Sequence, residues 1–489
     1  MSRLLSLCAA CCVLCSVSVG QPPQNRILAG VTDDGEFLVD TTGVHEEGAP
    51  AVGFDGTNFL VVWEDGRNPV THIYGSRASP QGTVLDSTPI AISNAGYYQM
   101  YPAVGFDGTS FLVVWSDTRS GYSDIYGARV TRDGAVLDTA GFVITAESSS
   151  QLMPAIAFDG TNFLVVWDDT REGQEDIYGA RVSPQGRVLD PSGIVISRAV
   201  ESQERPALAF DGANFFAVWE DYRSGSYHDI YGARVTPQGT VLDPAGIAVS
   251  RAFDSQWYAA VSFDGTDYLV VWTDWRSGYS WDIYGTRVTP AGTVLDPAGF
   301  AVTHAAESQM YPALGFDGAN FLAVWTDDRN GDTSDLYGAG VTPEGVVFDR
   351  APIVTQEGDQ SSAALARGPD GQLLLVYRGW AGTVARKTYD VNRVWGKMNP
   401  SPGVEEVENS EVRRVDGPTV VRGEFFLPSA NGEERLAKGE LLDISGRRVM
   451  ELQAGANDVS RLAPGVYFVR SASGVERDAS SVCKVVVTR

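Results

Sequence analysis

Short apolar runs alternate with turn-forming residues along most of this chain, and the alternation has a fixed period. A Phe-Asp-Gly turn, followed by an apolar run that ends in Trp, begins at Phe54, Phe106, Phe158, Phe210, Phe263 and Phe316, at spacings of 52 or 53 residues. A seventh, altered copy begins at Pro369 and ends its apolar run at Tyr377. This period is typical of repeat architectures, in which each unit buries its apolar surface against its neighbours.

One repeat, at 154–197, predicts four strands. Residues 155–158 form a short apolar segment, and the Asp159-Gly160 pair that follows is a strong hairpin signal. The continuous apolar run at 163–167 is typical of a strand that is covered on both faces. Residues 176–182 and 187–196 supply the third and fourth strands. Four short strands in a unit of about 50 residues predict one blade of an all-β propeller.

The ends of the repeat region predict seven blades. Residues 27–40 match the third and fourth strands of a repeat, whereas the last copy supplies its first two strands at 363–377 and a further strand at 383–390. We therefore expect N-terminal strands to complete the last blade and close the ring, which removes exposed sheet edges. A count of six or eight would require one altered copy to be assigned wrongly.

The predicted domain order is a signal peptide at 1–20, the propeller at 24–392, a linker at 393–415 and a β-rich domain at 416–489. The first 20 residues contain one charge, Arg3, and a Leu-, Cys- and Ala-rich run. A lipoprotein signal is the alternative, because Cys8, Cys11, Cys12 and Cys15 lie in this run. No later segment reaches the roughly 20 apolar residues of a membrane span.

Composition limits the partners. Asp and Glu number 62 against 37 Lys and Arg, a net charge of −25. Such a chain is repelled by nucleic acid and by anionic membranes, so neither is an expected partner. Outside the predicted signal peptide only Cys483 remains of the five cysteines, so no intramolecular disulfide is expected.

The last 75 residues or so contain three ordered sequence blocks, at 441–449, 462–470 and 484–489. These blocks resemble the C-terminal sorting domains of the bacterial type IX (Por) secretion system. The resemblance implies a small immunoglobulin-like β-sandwich that the secretion machinery recognises. It also implies a Gram-negative protein that is secreted or held at the cell surface. The alternative is an immunoglobulin-like domain without a targeting role.

The repeats also resemble the sialidase-like (bacterial neuraminidase-type) propellers, most clearly at 114–129. The Asp and Trp of that family's Asp-box are missing from the turn at 183–186, and no unique set of residues matches its catalytic arginines, tyrosine and acids. The sequence therefore favours a non-catalytic protein that binds glycan or another protein. A glycan-processing hydrolase of the sialidase-like type and a structural envelope component remain alternatives.

An Asp-x-Arg pair recurs in six copies and predicts a structural role, because an active site needs its groups only once. A bidentate Asp–Arg pair would order the loop after the second strand in each blade. Calcium binding at 327–332 is the alternative, since oxygen-bearing residues alternate there; no other cofactor or metal is expected. The pairs are Asp65/Arg67, Asp117/Arg119, Asp169/Arg171, Asp221/Arg223, Asp274/Arg276 and Asp327/Arg329.

Variable loops rich in aromatic residues predict the ligand-binding face, because function usually concentrates on such loops. We expect exposure above all at the adjacent pairs Tyr97/Tyr98 and Trp257/Tyr258, although aromatic residues can also pack between loops. The candidate aromatic residues are Tyr97, Tyr98, Tyr101, Tyr222, Trp257, Tyr258, Trp275 and Tyr311. A recurring glutamine is expected to ring the channel mouth, at Gln99, Gln151, Gln203, Gln256 and Gln309.

Overall fold

The computed structural model describes residues 35–331, 333–384 and 387–400, and seven strands after residue 418. Seven four-stranded sheets follow one another in the first part of the chain. The first strand of each sheet contacts the first strands of both neighbouring sheets, and the last sheet contacts the first. The ring is therefore closed, and the predicted seven-bladed β-propeller is confirmed.

In blades 1 to 6 the innermost strand comes first and the others follow outward in chain order. Blades 1 to 3 contain β2 (Glu47–Phe54), β3 (Phe59–Asp65), β4 (His72–Ala78), β5 (Ile90–Ser93), β6 (Gln99–Phe106), β7 (Ser110–Asp117), β8 (Asp124–Thr131), β9 (Phe142–Thr145), β10 (Gln151–Phe158), β11 (Phe163–Asp169), β12 (Asp176–Val182) and β13 (Ile194–Ser197). Blades 4 to 6 contain β14 (Gln203–Phe210), β15 (Phe215–Asp221), β16 (Asp229–Val235), β17 (Ile247–Ser250), β18 (Gln256–Phe263), β19 (Tyr268–Asp274), β20 (Asp282–Val288), β21 (Phe300–Thr303), β22 (Gln309–Phe316), β23 (Phe321–Asp327), β24 (Asp335–Val341) and β25 (Val347–Val354). Blade 7 contains β26 (Gln360–Arg367), β27 (Leu373–Val384), β28 (Lys387–Met398) and the N-terminal β1 (Glu36–Leu38).

The N-terminal strand closes the ring, although the blade is divided differently from the prediction. β1 pairs with β28 and supplies only the outermost strand of blade 7, with Leu38 opposite Trp395. The third strand is β28, because it follows β27 directly in the chain and pairs with it as a long hairpin. The predicted signal peptide lies outside the described residues.

The apolar core lies in layers between neighbouring blades. On one side of blade 2, Leu112 and Val114 pack with Phe163, Val165 and Trp167 of blade 3. The second strand of a blade is therefore covered on both faces, which explains its continuous apolar run. Burying one tryptophan of this kind removes enough apolar area to stabilise the fold by about 4–6 kcal/mol, as an upper value.

The Asp-Gly turns join the first and second strands as predicted. In blade 3, Asp159 Oδ1 accepts the amides of Thr161 and Asn162 at 2.6 and 2.7 Å. Gly160 has a φ of +91°, a conformation that L side chains rarely adopt. The aspartate and the glycine together fix a tight hairpin at the face opposite the Asp-x-Arg loops.

A second Arg–Asp pair, which the sequence analysis did not identify, lies near the outer edge of five blades. Arg181 donates to Asp190 from Nε at 2.8 Å and from Nη2 at 2.9 Å, and its Nη1 donates to Pro237 O of the next blade at 3.4 Å. The pair thus fastens the third strand to the segment that follows it. The five pairs are Arg77–Asp86, Arg129–Asp138, Arg181–Asp190, Arg234–Asp243 and Arg287–Asp296.

The seven strands after residue 418 form one sheet in the order β29-β35-β34-β31-β32 and a pair, β30-β33. These described strands lie within the predicted β-rich domain at 416–489. Their bounds are β29 (Thr419–Val421), β30 (Glu424–Leu427), β31 (Lys438–Leu442), β32 (Arg448–Gln453), β33 (Gly455–Asp458), β34 (Gly465–Ser471) and β35 (Val482–Val487). Throughout the described ranges, no helix has the length and apolar character needed to cross a membrane.

Candidate functional site at the channel mouth

A bulge near the start of each innermost strand brings seven side chains to one mouth of the central channel. In blade 3 the pairing of β10 with β11 shifts register between Leu152 and Ala155, and Met153 has a φ of +50°. Non-glycine residues hold this left-handed conformation only where their surroundings fix it. The equivalent residues of all seven blades have φ between 41° and 57°: Ala49, Tyr101, Met153, Arg205, Tyr258, Tyr311 and Ser362.

Side chains of the preceding blade hold several of these bulges in place. The acceptor is the residue between the Trp and the Asp at the end of the second strand, and the donor is the backbone amide of the bulge residue. These bonds tie each blade to the next at the rim of the channel. The pairs are Glu64 with Tyr101 (2.8 Å), Asp168 with Arg205 (2.8 Å), Glu220 with Tyr258 (2.7 Å) and Thr273 with Tyr311 (3.2 Å).

The bulge residues and the Pro or Ala after each of them line a cavity of about 360 Å³. This volume falls in the range of about 300–1,000 Å³ that is usual for small-molecule sites. The backbone at the seven positions is the same, but the side chains are of five types. The backbone around the mouth is therefore symmetric, whereas the side chains that line the mouth are not.

Charged groups converge on the part of the mouth formed by blades 3 to 5. Arg205 Nη1 lies 2.9 Å from Glu220 Oε2 and 3.1 Å from Glu204 Oε2. Its guanidinium lies 5.1 Å from the centre of the Tyr258 ring. Arg205 is therefore held between two carboxylates and an aromatic face.

Burial alters the protonation of this cluster. Burial raises the pKa of Glu220 to about 7, against the opposing effect of Arg205 and the Tyr258 amide. Burial also raises the pKa of Asp168 well above its ordinary value, with a further contribution from Glu204 and Glu220. In both groups burial is the largest cause of the pKa shift, because it disfavours the charged carboxylate.

Aromatic side chains continue from the mouth over blade 5. The rings of Tyr311 and Tyr258 are 4.4 Å apart, and Tyr258 lies 6.2 Å from Trp257. Trp257 stacks on Trp281 at 4.9 Å, and Trp281 contacts Trp275 at 4.7 Å. The five rings form a connected path, and each is at least partly exposed.

The candidate aromatic residues fall into two groups. Tyr101, Tyr258, Trp257, Trp275 and Tyr311 belong to the mouth or to the aromatic path beside it. The others lie elsewhere: Tyr97 and Tyr98 are 55% and 51% exposed on the loop before β6, and Tyr222 packs against His228 at 4.7 Å. The expected exposure is thus found at Tyr97/Tyr98, whereas Trp257 and Tyr258 are only partly exposed.

The five glutamines do not line the mouth, contrary to the expectation from the sequence. All of them are fully buried. Gln203 shows the reason: its Nε2 donates to Glu201 O at 2.5 Å, and its Oε1 accepts the Ala199 amide at 2.9 Å. The side chain turns into the loop between blades and orders it, so it is not available to a ligand in the channel.

The sequence analysis missed Arg205, Asp168 and Glu220, which carry the charge of the mouth. A signal for the mouth exists in the repeat. In five copies a proline stands four residues before the Phe of the Phe-Asp-Gly turn, as Pro206 does before Phe210. Proline interrupts strand pairing and marks a bulge, so the residue before it is the one that reaches the channel.

The predicted Asp-x-Arg pairs are present and form one repeated knot. Asp169, fully buried, accepts Arg171 Nε and Nη2 at 2.8 and 2.5 Å and the Arg171 amide at 3.0 Å. Its Oδ2 also accepts Trp167 Nε1 at 2.9 Å, and the guanidinium lies 4.2 Å from the Tyr178 ring centre. The arginine is fully engaged in this geometry, which fits a structural role.

The seam between blades 7 and 1 holds a different charge cluster. Arg393, fully buried, lies 2.8 Å from Glu47 and 3.3 Å from Asp40, and Arg67 bridges Asp40 and Asp65 at 2.8 and 2.6 Å. Burial alone would lower the pKa of His45, but its bonds to Asp40, Asp65 and Glu47 outweigh burial and raise that pKa to about 10. The acidic groups and His45 are of metal-ligand types, yet the two arginines and the protonated His45 already balance the charge of the three carboxylates.

Several polar side chains of the loop considered for calcium are hydrogen-bonded to other residues. Asp327 accepts Arg329 and Trp325 Nε1, Asp328 accepts Ser334 Oγ, and Asn330 Nδ2 donates to Asp335. Asp332 lies outside the described residues. Calcium binding at this loop stays an untested alternative.

No protein-family model matches this chain, and no curated protein sequence matches it either. Three solved structures are similar in architecture: a protein of unknown function from Dyadobacter fermentans (13% identity, 76% of this chain and 98% of that one, TM-score 0.46), the oligogalacturonate lyase of Vibrio parahaemolyticus (12%, 76% and 96%, 0.45) and the α-L-arabinanase of Penicillium chrysogenum complexed with arabinobiose (14%, 76% and 97%, 0.40). Likenesses this distant do not determine what the chain binds. The assignment of a propeller rests on the seven sheets of this chain.

Proposed function

We propose that this protein binds carbohydrate at the mouth of its propeller channel and acts as a non-catalytic binding protein outside the cell. One observation carries the proposal: seven positions at the mouth share one backbone conformation, yet they carry five different types of side chain. Three of the seven are tyrosines, at Tyr101, Tyr258 and Tyr311. The repeat does not need these differences for folding, because Ala49 and Ser362 occupy the same bulge.

The chemistry of the mouth suits a sugar. Tyrosine rings present flat apolar faces, on which the apolar face of a pyranose or furanose can lie. Arg205 and Glu204, which are both partly exposed, offer a donor and an acceptor for hydroxyl groups beside those rings. The concave cavity favours a small ligand or a chain end over a flat protein surface.

The test compares binding by the full chain and by the variant Tyr101→Ala/Tyr258→Ala/Tyr311→Ala on a glycan array and by calorimetry. Ala49 shows that the bulge accepts alanine, so the variant is expected to fold. We expect at least a tenfold loss of affinity for the glycan that the wild type selects. Tyr122→Ala, on an exposed loop of blade 2, is the matched control and should bind normally. Selective binding that survives in the triple variant would move the site away from the mouth.

Glycan hydrolysis is the second candidate, because two buried carboxyl groups, Asp168 and Glu220, contact the same residue, Arg205. Burial raises the pKa of Glu220 to about 7 and the pKa of Asp168 well above its ordinary value, which is the direction of shift that a general acid needs. Against catalysis, one oxygen of each carboxyl accepts a backbone amide of the bulge. Release of reducing ends by the wild type but not by Asp168→Asn or Glu220→Gln would establish catalysis; an inactive wild type that binds glycan would support the first proposal.

Export is part of the proposed function and rests on the sequence. The apolar N-terminus at 1–20 and the three blocks in 416–489 support secretion through the type IX machinery of a Gram-negative cell. Deletion of 416–489 should leave the protein in the periplasm, with the propeller intact by limited proteolysis. Surface delivery of the truncated protein would remove the sorting role and leave an immunoglobulin-like domain without a targeting function.

A further inference from the structure

Blade 5 differs from the other blades at three equivalent positions on the mouth side. The residue before the bulge is Trp257, the middle residue of the Asp-x-Arg loop is Trp275, and the residue before the third strand is Trp281. Blade 2 has Met100, Thr118 and Ser123 at these positions. Among the seven blades, only blade 5 has tryptophan at all three. The fold therefore does not require this aromatic set.

The three tryptophans form one continuous strip with the mouth. Trp257 stacks on Trp281 with an interplanar angle of 28°, and it meets Tyr258 edge-on at 6.2 Å. Trp275 contacts Trp281, with 4.7 Å between the ring centres, and ends the path on the side away from the mouth. We call Trp257, Trp275 and Trp281 the tryptophan strip. Because ring centres are separated by about 5–6 Å along the path, the strip extends the mouth outward over blade 5.

Charge identifies the class of ligand that suits the strip. The two arginines beside it are engaged: Arg276 by Asp274 at 2.6 Å, and Arg205 by Glu220 and Glu204. The chain as a whole carries a net charge of −25. A polyanion would therefore meet net repulsion from the protein, whereas an uncharged chain would not. Flat aromatic rings beside a cavity suit a polymer of neutral sugars, whose units lie in succession on the rings.

We propose that the tryptophan strip binds an extended chain of neutral sugars, one end of which lies in the channel mouth. This inference rests on the proposed carbohydrate binding at the mouth and adds the class of ligand and its course over blade 5. Each ring that the chain covers adds buried apolar area. Affinity should therefore increase with the number of sugar units until the strip is filled.

The test uses the full chain and oligosaccharides from disaccharide to hexasaccharide prepared from neutral arabinan, mannan and glucan. The variant Trp257→Met/Trp275→Thr/Trp281→Ser gives blade 5 the residues that blade 2 already has, so it should fold; circular dichroism and the melting temperature check this. Leu152→Met/Glu175→Ser, which gives blade 3 the same set without removing a tryptophan, is the matched control.

The wild type and the control should bind hexasaccharide at least tenfold more tightly than disaccharide, in at least one of the three series. The blade 5 variant should lose this gain while binding disaccharide as the wild type does. An equal gain in the variant would overturn the strip and leave the mouth intact. If the wild type binds oligosaccharides of no length, the proposed function fails as well, so the two failures are distinguishable.

Discussion

Removing the aspartate of one Asp–Arg–Trp knot should destabilise the propeller far more than removing the aspartate of the second Arg–Asp pair. Asp169 and Asp190 belong to the same blade, and each accepts a guanidinium fork and a backbone amide. They differ in exposure: the Asp169 side chain is fully buried, whereas that of Asp190 is 18% exposed. Asp169 alone also accepts a buried tryptophan Nε1.

The expected magnitudes follow from these contacts. In Asp169→Ala, Arg171 keeps its charge without its carboxylate, and Trp167 Nε1 loses its acceptor; breaking a buried pair in this way costs about 3–5 kcal/mol. In Asp190→Ala, solvent can hydrate Arg181, and the loss should be about 1 kcal/mol. The difference between the two variants should therefore be at least about 2 kcal/mol.

Urea unfolding of the full chain, followed by tryptophan fluorescence, measures the difference in the free energy of unfolding. Unchanged slopes of that free energy against urea concentration are needed for the comparison to hold. Asp221→Ala and Asp243→Ala repeat the experiment in blade 4, where the same two pairs recur. Equal losses for the two aspartates in both blades would refute the assignment of the knot as the main polar support of each blade.

Three further predictions concern the mouth, the seam and metal. Burial raises the folded-state pKa of Glu220 to about 7. The contribution of Glu220 to stability is therefore present below about pH 4.5, where the unfolded chain is also protonated, and it is lost as the pH rises through 7. In Glu220→Gln the fall in the free energy of unfolding between pH 5 and 8 should be smaller, by about 3 kcal/mol at most. At the seam, Arg393→Ala should lower the free energy of unfolding by about 3–5 kcal/mol, since Asp40 and Glu47 stay buried. The variant Asp40→Thr/Glu47→Gln/Arg393→Asp places at the seam the residue types that other blades have at the equivalent positions. It should lose less free energy of unfolding than Arg393→Ala, and a larger loss would contradict the ion-pair explanation. Finally, EDTA should leave the melting temperature unchanged; a fall that calcium reverses would favour the calcium loop at 327–332.

The repeat period was sufficient to predict the fold, because the fold is set by local signals. Each copy carries its own Asp-Gly turn and its own apolar run, and both are short-range features that sequence displays directly. Ring closure was also predictable from the incomplete copies at the two ends. The bounds of the third strand of blade 7 were not predicted, although Val394-Trp395-Gly396 of β28 stands where Ile177-Tyr178-Gly179 stands in β12. The residues beside this match, such as Arg393 and Lys397, depart from the repeat and conceal it.

The candidate site was only partly predictable, because it depends on which way side chains turn. Gln203 and Arg205 are two residues apart in β14, yet the Gln203 side chain turns into the loop between blades, whereas Arg205 lines the channel. The difference comes from the bulge, which breaks the regular alternation of a strand. The recurrence of glutamine suggested a ring at the mouth. The glutamine recurs instead because its buried side chain orders the loop between blades.

Seven copies of one framework in a single chain act as internal controls for one another. Two places depart from the shared pattern, and they differ in kind. At the seam the departures compensate: Asp40 and Glu47 are acidic, Arg393 is basic, and all three are buried together, so folding explains them. Around the mouth and over blade 5 the departures add partly exposed rings. Ala49 and Ser362 at the mouth, and the residues of blade 2 equivalent to the tryptophan strip, show that a blade does not need them. Aromatic surface that the fold neither needs nor fully covers is the feature that supports the proposed ligand site at this end of the channel.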